Sequence, residues 1–75
     1  MKPYRNRSGK SGVAAYESGE GFIRVRFVHD GTYEYTDTRP GRLHVGNMQK
    51  LAEAGIVLST YISRFVRERY ARKLD

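Results

Sequence analysis

The sequence predicts a small α+β domain: a three-stranded antiparallel meander packed on two C-terminal helices, in the order β-β-β-α-α. Three observations carry that expectation. First, FIRVRFVHDGTYEYT (Phe22 to Thr36) alternates apolar and polar residues on both sides of a tight glycine, the pattern of a half-buried hairpin. Second, Leu58, Ile62, Phe65 and Val66 recur at helical spacing. Third, 75 residues suffice for one domain, which at this size buries only about 60% of its unfolded surface.

Residues 1–11 hold Pro3, Asn6, Ser8, Gly9 and Ser11 without apolar periodicity and read as a loose basic arm. A single domain over residues 12–75 follows. Val13 to Glu17 makes a weak first strand, because Ala14 and Ala15 have low strand preference. Ser18-Gly19-Glu20-Gly21 is a turn. In Phe22 to Val28, Ile23, Val25 and Phe27 share one face, and Arg24 and Arg26 the other. In Thr32 to Thr36, Tyr33 and Tyr35 oppose Thr32, Glu34 and Thr36.

Register decides the hairpins. A two-residue Asp30-Gly31 loop would mix apolar and polar faces, which a half-buried sheet does not tolerate. A three-residue His29-Asp30-Gly31 loop sets Phe27 opposite Tyr33, Val25 opposite Tyr35 and Arg26 opposite Glu34, with Gly31 in the left-handed position such loops need. The four-residue turn before it sets Tyr16 opposite Ile23 and Ala14 opposite Val25. Both tyrosines of the last strand then point inward with Val25 and Phe27.

The apolar face needs a cover, and the second half supplies it. Pro40 can open a helical turn. Gly41 and Gly46 argue against a long helix there, so the first helix is expected over Met48 to Ala54, with Asn47 as N-cap and Gly55 past its end. Ser59 is expected to cap the second helix, with Leu58 as its staple residue. Arg69 and Lys73 continue the stripe beyond Val66, so the last turns are expected to project into solvent.

The chain carries net charge +6 and no cysteine, so neither disulfides nor a Cys-based zinc site arises. Lys2, Arg5, Arg7 and Lys10 give residues 1–10 a charge of +4, and Arg64, Arg67, Arg69, Arg72 and Lys73 against Glu68 and Asp75 give residues 61–75 a charge of +3. Five bases and six acids between them leave −1. Basic ends around a neutral middle suit phosphate contact, and equally a solvated tail and helix face. No apolar run approaches the roughly 18 residues of a membrane span. The basic start has no apolar stretch behind it, as a signal peptide would. A cytoplasmic protein without cofactor is the expectation.

Catalysis needs a nucleophile with its base, a metal cage or paired carboxylates. His29 beside Asp30 is the nearest approach, and a tight turn explains both. His44, near Arg42, reads as a loop or helix-start residue.

Ser11 with Val13, Tyr16-Glu17, Ile23-x-Val25-x-Phe27, Gly31-x-Tyr33-x-Tyr35, then Pro40, Met48, Leu51, Gly55 and Leu58-Ser59-x-x-Ile62 form an ordered set. Over about Ser11 to Phe65 the chain resembles the KTSC domain, a small module named for the C-terminus of some lysyl-tRNA synthetases and also found free-standing. It departs from the family pattern at Leu58-Ser59 and at Ser63, which stands between Ile62 and Arg64. The resemblance implies the same β-β-β-α-α order, and attachment to a tRNA-charging enzyme implies RNA contact by analogy.

The expected function is a small non-catalytic binding module. Its nucleic-acid partner, RNA before DNA, would be held by Lys2, Arg5, Arg7, Lys10, Arg64, Arg67, Arg69, Arg72 and Lys73. Tyr4, among arm cations, suits a single-stranded contact. The alternative is a protein–protein adaptor using the projecting helix with Tyr61 and Tyr70. Oligomeric state is left open.

Overall fold

A computed structural model describes residues 1–7, 9 and 11–75. Five antiparallel strands, β1 (Lys2–Pro3), β2 (Val13–Gly19), β3 (Phe22–Phe27), β4 (Gly31–Thr36) and β5 (Arg72–Lys73), lie side by side in chain order. Helix α1 (Arg42–Ala54) packs across β3 and β4, and α2 (Leu58–Tyr61) runs on into a π-helical turn over Ile62–Val66. The chain is α+β, as expected, but among the described residues the sheet has five strands rather than three.

The core is the expected face. Ile23, Val25 and Tyr35 from the sheet meet Val45, Met48, Leu58 and Val66 from the helical layer, all buried. Burying a side chain of this size contributes about 1.5–3 kcal/mol. Tyr35 is fully enclosed, and Tyr33 packs on the core's edge.

Both hairpin registers differ from expectation by two residues. Phe27 stands opposite Gly31, Val25 opposite Tyr33, Ile23 opposite Tyr35 and Arg24 opposite Glu34. The loop is therefore Val28-His29-Asp30. In the first hairpin, Tyr16 faces Val25 and Gly19 faces Phe22 around a Glu20-Gly21 turn. A slip of two preserves which side every residue faces, so alternation alone cannot distinguish these registers. A bulge between Val13 and Ala15 adds one residue to β2 and places Val13, like Tyr16, on the buried side.

Residues 2–7 of the expected loose arm are docked, while Ser8 and Lys10 lie outside the described residues. Lys2 and Pro3 pair with Tyr16 and Ala15. Tyr4 is buried, its N–H donates to the Ala14 carbonyl at 3.0 Å, and Arg7 N–H donates to the Gly55 carbonyl at 2.8 Å. An aromatic ring among cations has found the core, because burial outweighs its polar neighbourhood in sequence.

Helix α1 starts at Arg42, not Met48, and carries Gly46 in its interior. Asn47 is thus a helical residue and not a cap. Val45, Met48 and Ala52 bury one face, and this packing tolerates the glycine. Gly55 ends the helix at φ 73°, donating to the Leu51 and Ala52 carbonyls.

Ser59 does not cap α2. The helix begins at Leu58, whose N–H donates to the Tyr4 hydroxyl at 3.2 Å, so a side chain from the far end of the chain supplies the cap. The wide turn over 62–66, closed by Arg67 N–H to the Ile62 carbonyl at 2.6 Å, keeps Ile62 and Val66 inward. It rotates Phe65, expected in the apolar stripe, out to 53% exposure.

No helix projects beyond Val66. The chain reverses at Arg67, whose φ is 43°, and returns as β5, with Arg72 opposite Glu34 and Lys73 opposite Tyr33. Ala71 N–H reaches the Glu34 carbonyl at 2.7 Å and Leu74 N–H the Thr32 carbonyl at 2.8 Å. A continued helix would expose its polar stripe to water, whereas the return strand satisfies the open edge of β4.

Candidate nucleic-acid interface

The described cations of the two basic ends do not form one patch. Lys2 lies on β1 and Arg72 and Lys73 on β5, opposite edges of the sheet, about 19 Å apart at four strand spacings. Arg5 and Arg7 run past Gly55 between the helices, and Lys10 lies outside the described residues. Arg64 sits on the π turn, Arg67 ends it, and Arg69 lies in the reversal.

Pairing further sorts these cations. On the outer sheet face, Glu17, Arg24, Glu34 and Arg72 form one row across four strands. Arg24 holds Glu17 at 3.0 Å and Glu34 at 2.8 Å, and Arg72 Nε holds the other Glu34 oxygen at 2.8 Å. Glu34, only 6% exposed, is the hub of this row. The hydrogen bond from Arg72, then that from Arg24, holds its carboxyl below the ordinary range, and the bonds to Glu34 and Glu17 raise the Arg24 guanidinium. The expected Arg26–Glu34 pair is replaced by Arg24–Glu34, a consequence of the two-residue slip. Lys73 is 3.9 Å from Asp30, with its ammonium 5.5 Å above the centre of the Tyr33 ring. Among the described residues, Arg64, Arg67 and Arg69 make no ion pair.

Beside Arg67 lies a cleft of about 360 Å³. Phe27, Tyr33 and Tyr35 line it from the sheet, and Asp30 from the hairpin loop. Ile62, Ser63, Arg67, Glu68 and Tyr70 line it from the chain reversal. Its aromatic wall is ordered: Phe27 meets Tyr33 edge-on at 5.7 Å, and Tyr33 meets Tyr70 at 4.6 Å. The Tyr33 hydroxyl donates to Asp30 at 3.0 Å; burial, then this bond, raises its phenol. Arg67 Nε donates to the Ser63 carbonyl at 3.1 Å, which fixes the guanidinium and leaves its two outer nitrogens for a ligand.

A second feature lies on the helical side. The Tyr61 hydroxyl meets His44 Nδ1 at 2.7 Å and accepts from Asn47 at 3.1 Å, while its ring contacts Phe65 at 4.8 Å. The two tyrosines expected together on a projecting helix are thus separated: Tyr61 faces α1, and Tyr70 lies against Tyr33. His29 is exposed in the hairpin loop. Among the described residues, no group of three or more His, Asp or Glu side chains is arranged to hold a metal ion. No helix there is long and apolar enough to cross a membrane.

Sequence reasoning missed the cleft because Phe27 and Tyr70 are 43 residues apart and the reversal at Arg67 has no sequence cue. The usable signal was the loss of apolar stripe after Val66 while an aromatic, Tyr70, remained. No protein-family model, curated protein or solved structure matches the chain.

Proposed function

We propose that the protein is a small non-catalytic module that binds single-stranded nucleic acid, RNA before DNA, on the face formed by the chain reversal. One observation carries this reading: an aromatic-walled cleft opens beside Arg67, on the same short segment as Arg64 and Arg69, and these three arginines have no anionic partner among the described residues. Aromatic faces next to cations are what single strands require, since bases stack and phosphates pair. The KTSC resemblance favours RNA by analogy. Of the five C-terminal cations expected to share this role, the reading keeps Arg64, Arg67 and Arg69 foremost, because Glu34 and Asp30 offset the charges of Arg72 and Lys73. Lys2, Arg5 and Arg7 act as a separate, weaker electrostatic surface.

Fluorescence anisotropy with a labelled single-stranded RNA across a salt series tests this. Three phosphate contacts predict a log–log salt slope of about −2. Changing Arg64, Arg67 and Arg69 together to Ala abolishes binding at moderate salt. A flat salt response, or equal binding by the triple variant, overturns the reading.

The adaptor alternative keeps one specific support: Leu43 is 75% exposed, one residue from His44, and Phe65 is exposed against Tyr61, a small apolar area on the helical side. A complex surviving nuclease and high salt, and lost on Phe65→Ser, would favour it.

A further inference from the structure

We propose that the cleft between Tyr33 and the chain reversal is a pocket for one unpaired guanine base, an assignment that rests on the single-strand reading above and gives it a base preference. The walls come from two layers. Phe27, Tyr33 and Tyr70 supply aromatic surface, and Ile62 adds an apolar lining from the helical layer. A cleft of about 360 Å³ has room for a purine with its sugar at the mouth.

The polar groups around it are of two kinds, and this carries the choice of base. Arg67 is anchored through Nε to the Ser63 carbonyl, so its free nitrogens are held at the rim, where a phosphate oxygen can take them. Glu68, the next residue, also lines the cleft and has no cation partner among the described residues. The remaining carboxylate, Asp30, is occupied by the Tyr33 hydroxyl and faces Lys73. The free acceptor is therefore Glu68.

A carboxylate accepts only, through two oxygens. Guanine offers adjacent N1–H and N2–H donors on its Watson–Crick edge, which two carboxylate oxygens take together. Adenine and cytosine offer one amino group each, beside a ring acceptor that the carboxylate repels. Uracil offers one N–H between two carbonyls, the poorest match. Stacking attracts every base, so the aromatic wall supplies affinity and Glu68 supplies discrimination.

The test uses the full chain and four labelled pentaribonucleotides, UUGUU, UUAUU, UUCUU and UUUUU, at low salt. The expected result is about tenfold tighter binding of the guanine strand than of all-uridine, with upfield shifts of the Tyr70 and Tyr33 ring protons on addition of that strand. Glu68→Ala is expected to erase the preference while leaving the salt slope unchanged. Tyr70→Leu, which keeps an apolar side chain against Tyr33, is expected to weaken all four strands by roughly tenfold. Salt-dependent binding with equal affinity for all four strands and unmoved tyrosine rings overturns the pocket and leaves the phosphate reading standing. Preference for adenine or cytosine overturns the assignment of guanine. Absence of binding to every strand at low salt overturns both.

Discussion

Arg72 Nε and Glu34 Oε1 lie 2.8 Å apart across the β4–β5 pair, while Arg24 Nε holds the other Glu34 oxygen at 2.8 Å. One nearly buried carboxylate therefore ties the C-terminal strand to the middle of the sheet. The same contact offsets the charge of Arg72, whereas Arg67 bonds a neutral carbonyl and keeps its charge uncompensated.

Glu34→Gln should destabilise the fold by about 1.5–3 kcal/mol, because two charge-assisted bonds become neutral or are lost. The native carboxyl titrates below its ordinary value of 4.5, so folding favours the ionised form. Its contribution is complete above about pH 4.5 and fades as pH falls through the lower native value. Urea midpoints at pH 7 and at progressively lower pH should converge for wild type and variant. A constant gap across that range would contradict the role assigned to Glu34.

Tyr4→Phe should cost about 1–2 kcal/mol, since the Leu58 N–H loses its acceptor in a buried setting. Tyr4→Ala should cost about 3–5 kcal/mol through the cavity it leaves. Chemical denaturation reads both. Wild-type stability in either variant would mean that the N-terminal segment is not docked on α2.

Gly46→Ala should stabilise the protein by about 1 kcal/mol, raising the thermal midpoint by roughly 4–8 °C. Gly46 sits inside α1, and a Cβ there meets no atom within 4 Å. Differential scanning calorimetry decides it. A lower midpoint would show that this position has a packing neighbour.

Tyr35 should resist ionisation. Burial is the main cause that drives its phenol well above the ordinary 10.0. Folding favours the neutral form, so its stabilisation is intact below about pH 10 and declines as pH rises above that value. The phenolate absorbance of Tyr35 should appear only with unfolding. Its ionisation in the folded chain, seen as a shift of its ring resonances at pH 10 without loss of structure, would contradict the burial.

Much of the inner architecture is legible in the sequence. The alternation in Phe22 to Thr36 assigned Ile23, Val25 and Tyr35 to the buried face, and Gly55 marked the end of α1. What failed, failed for identifiable reasons. Alternation has a period of two, so a two-residue slip moved Arg24 rather than Arg26 onto Glu34 without changing any residue's face. Gly46 suggested a break that packing of Val45, Met48 and Ala52 overrode. Ser59 fits the local pattern of a cap, but the helix begins one residue earlier, at Leu58, whose N–H the Tyr4 hydroxyl accepts. The candidate cleft was invisible, because it joins Phe27 and Tyr33 to Tyr70 through a reversal at Arg67.

The sequence by itself determined which side chains go inside and that a sheet with a helical cover would bury them, since hydrophobic periodicity is a local property. Only the tertiary structure decided where the two chain ends go. They pair with the open edges of β2 and β4, and those edges exist as hydrogen-bonding sites only once the central strands have assembled. That pairing separates Lys2 from Arg72, sets Arg72 against Glu34, and leaves Arg67 as the arginine that lines the aromatic cleft.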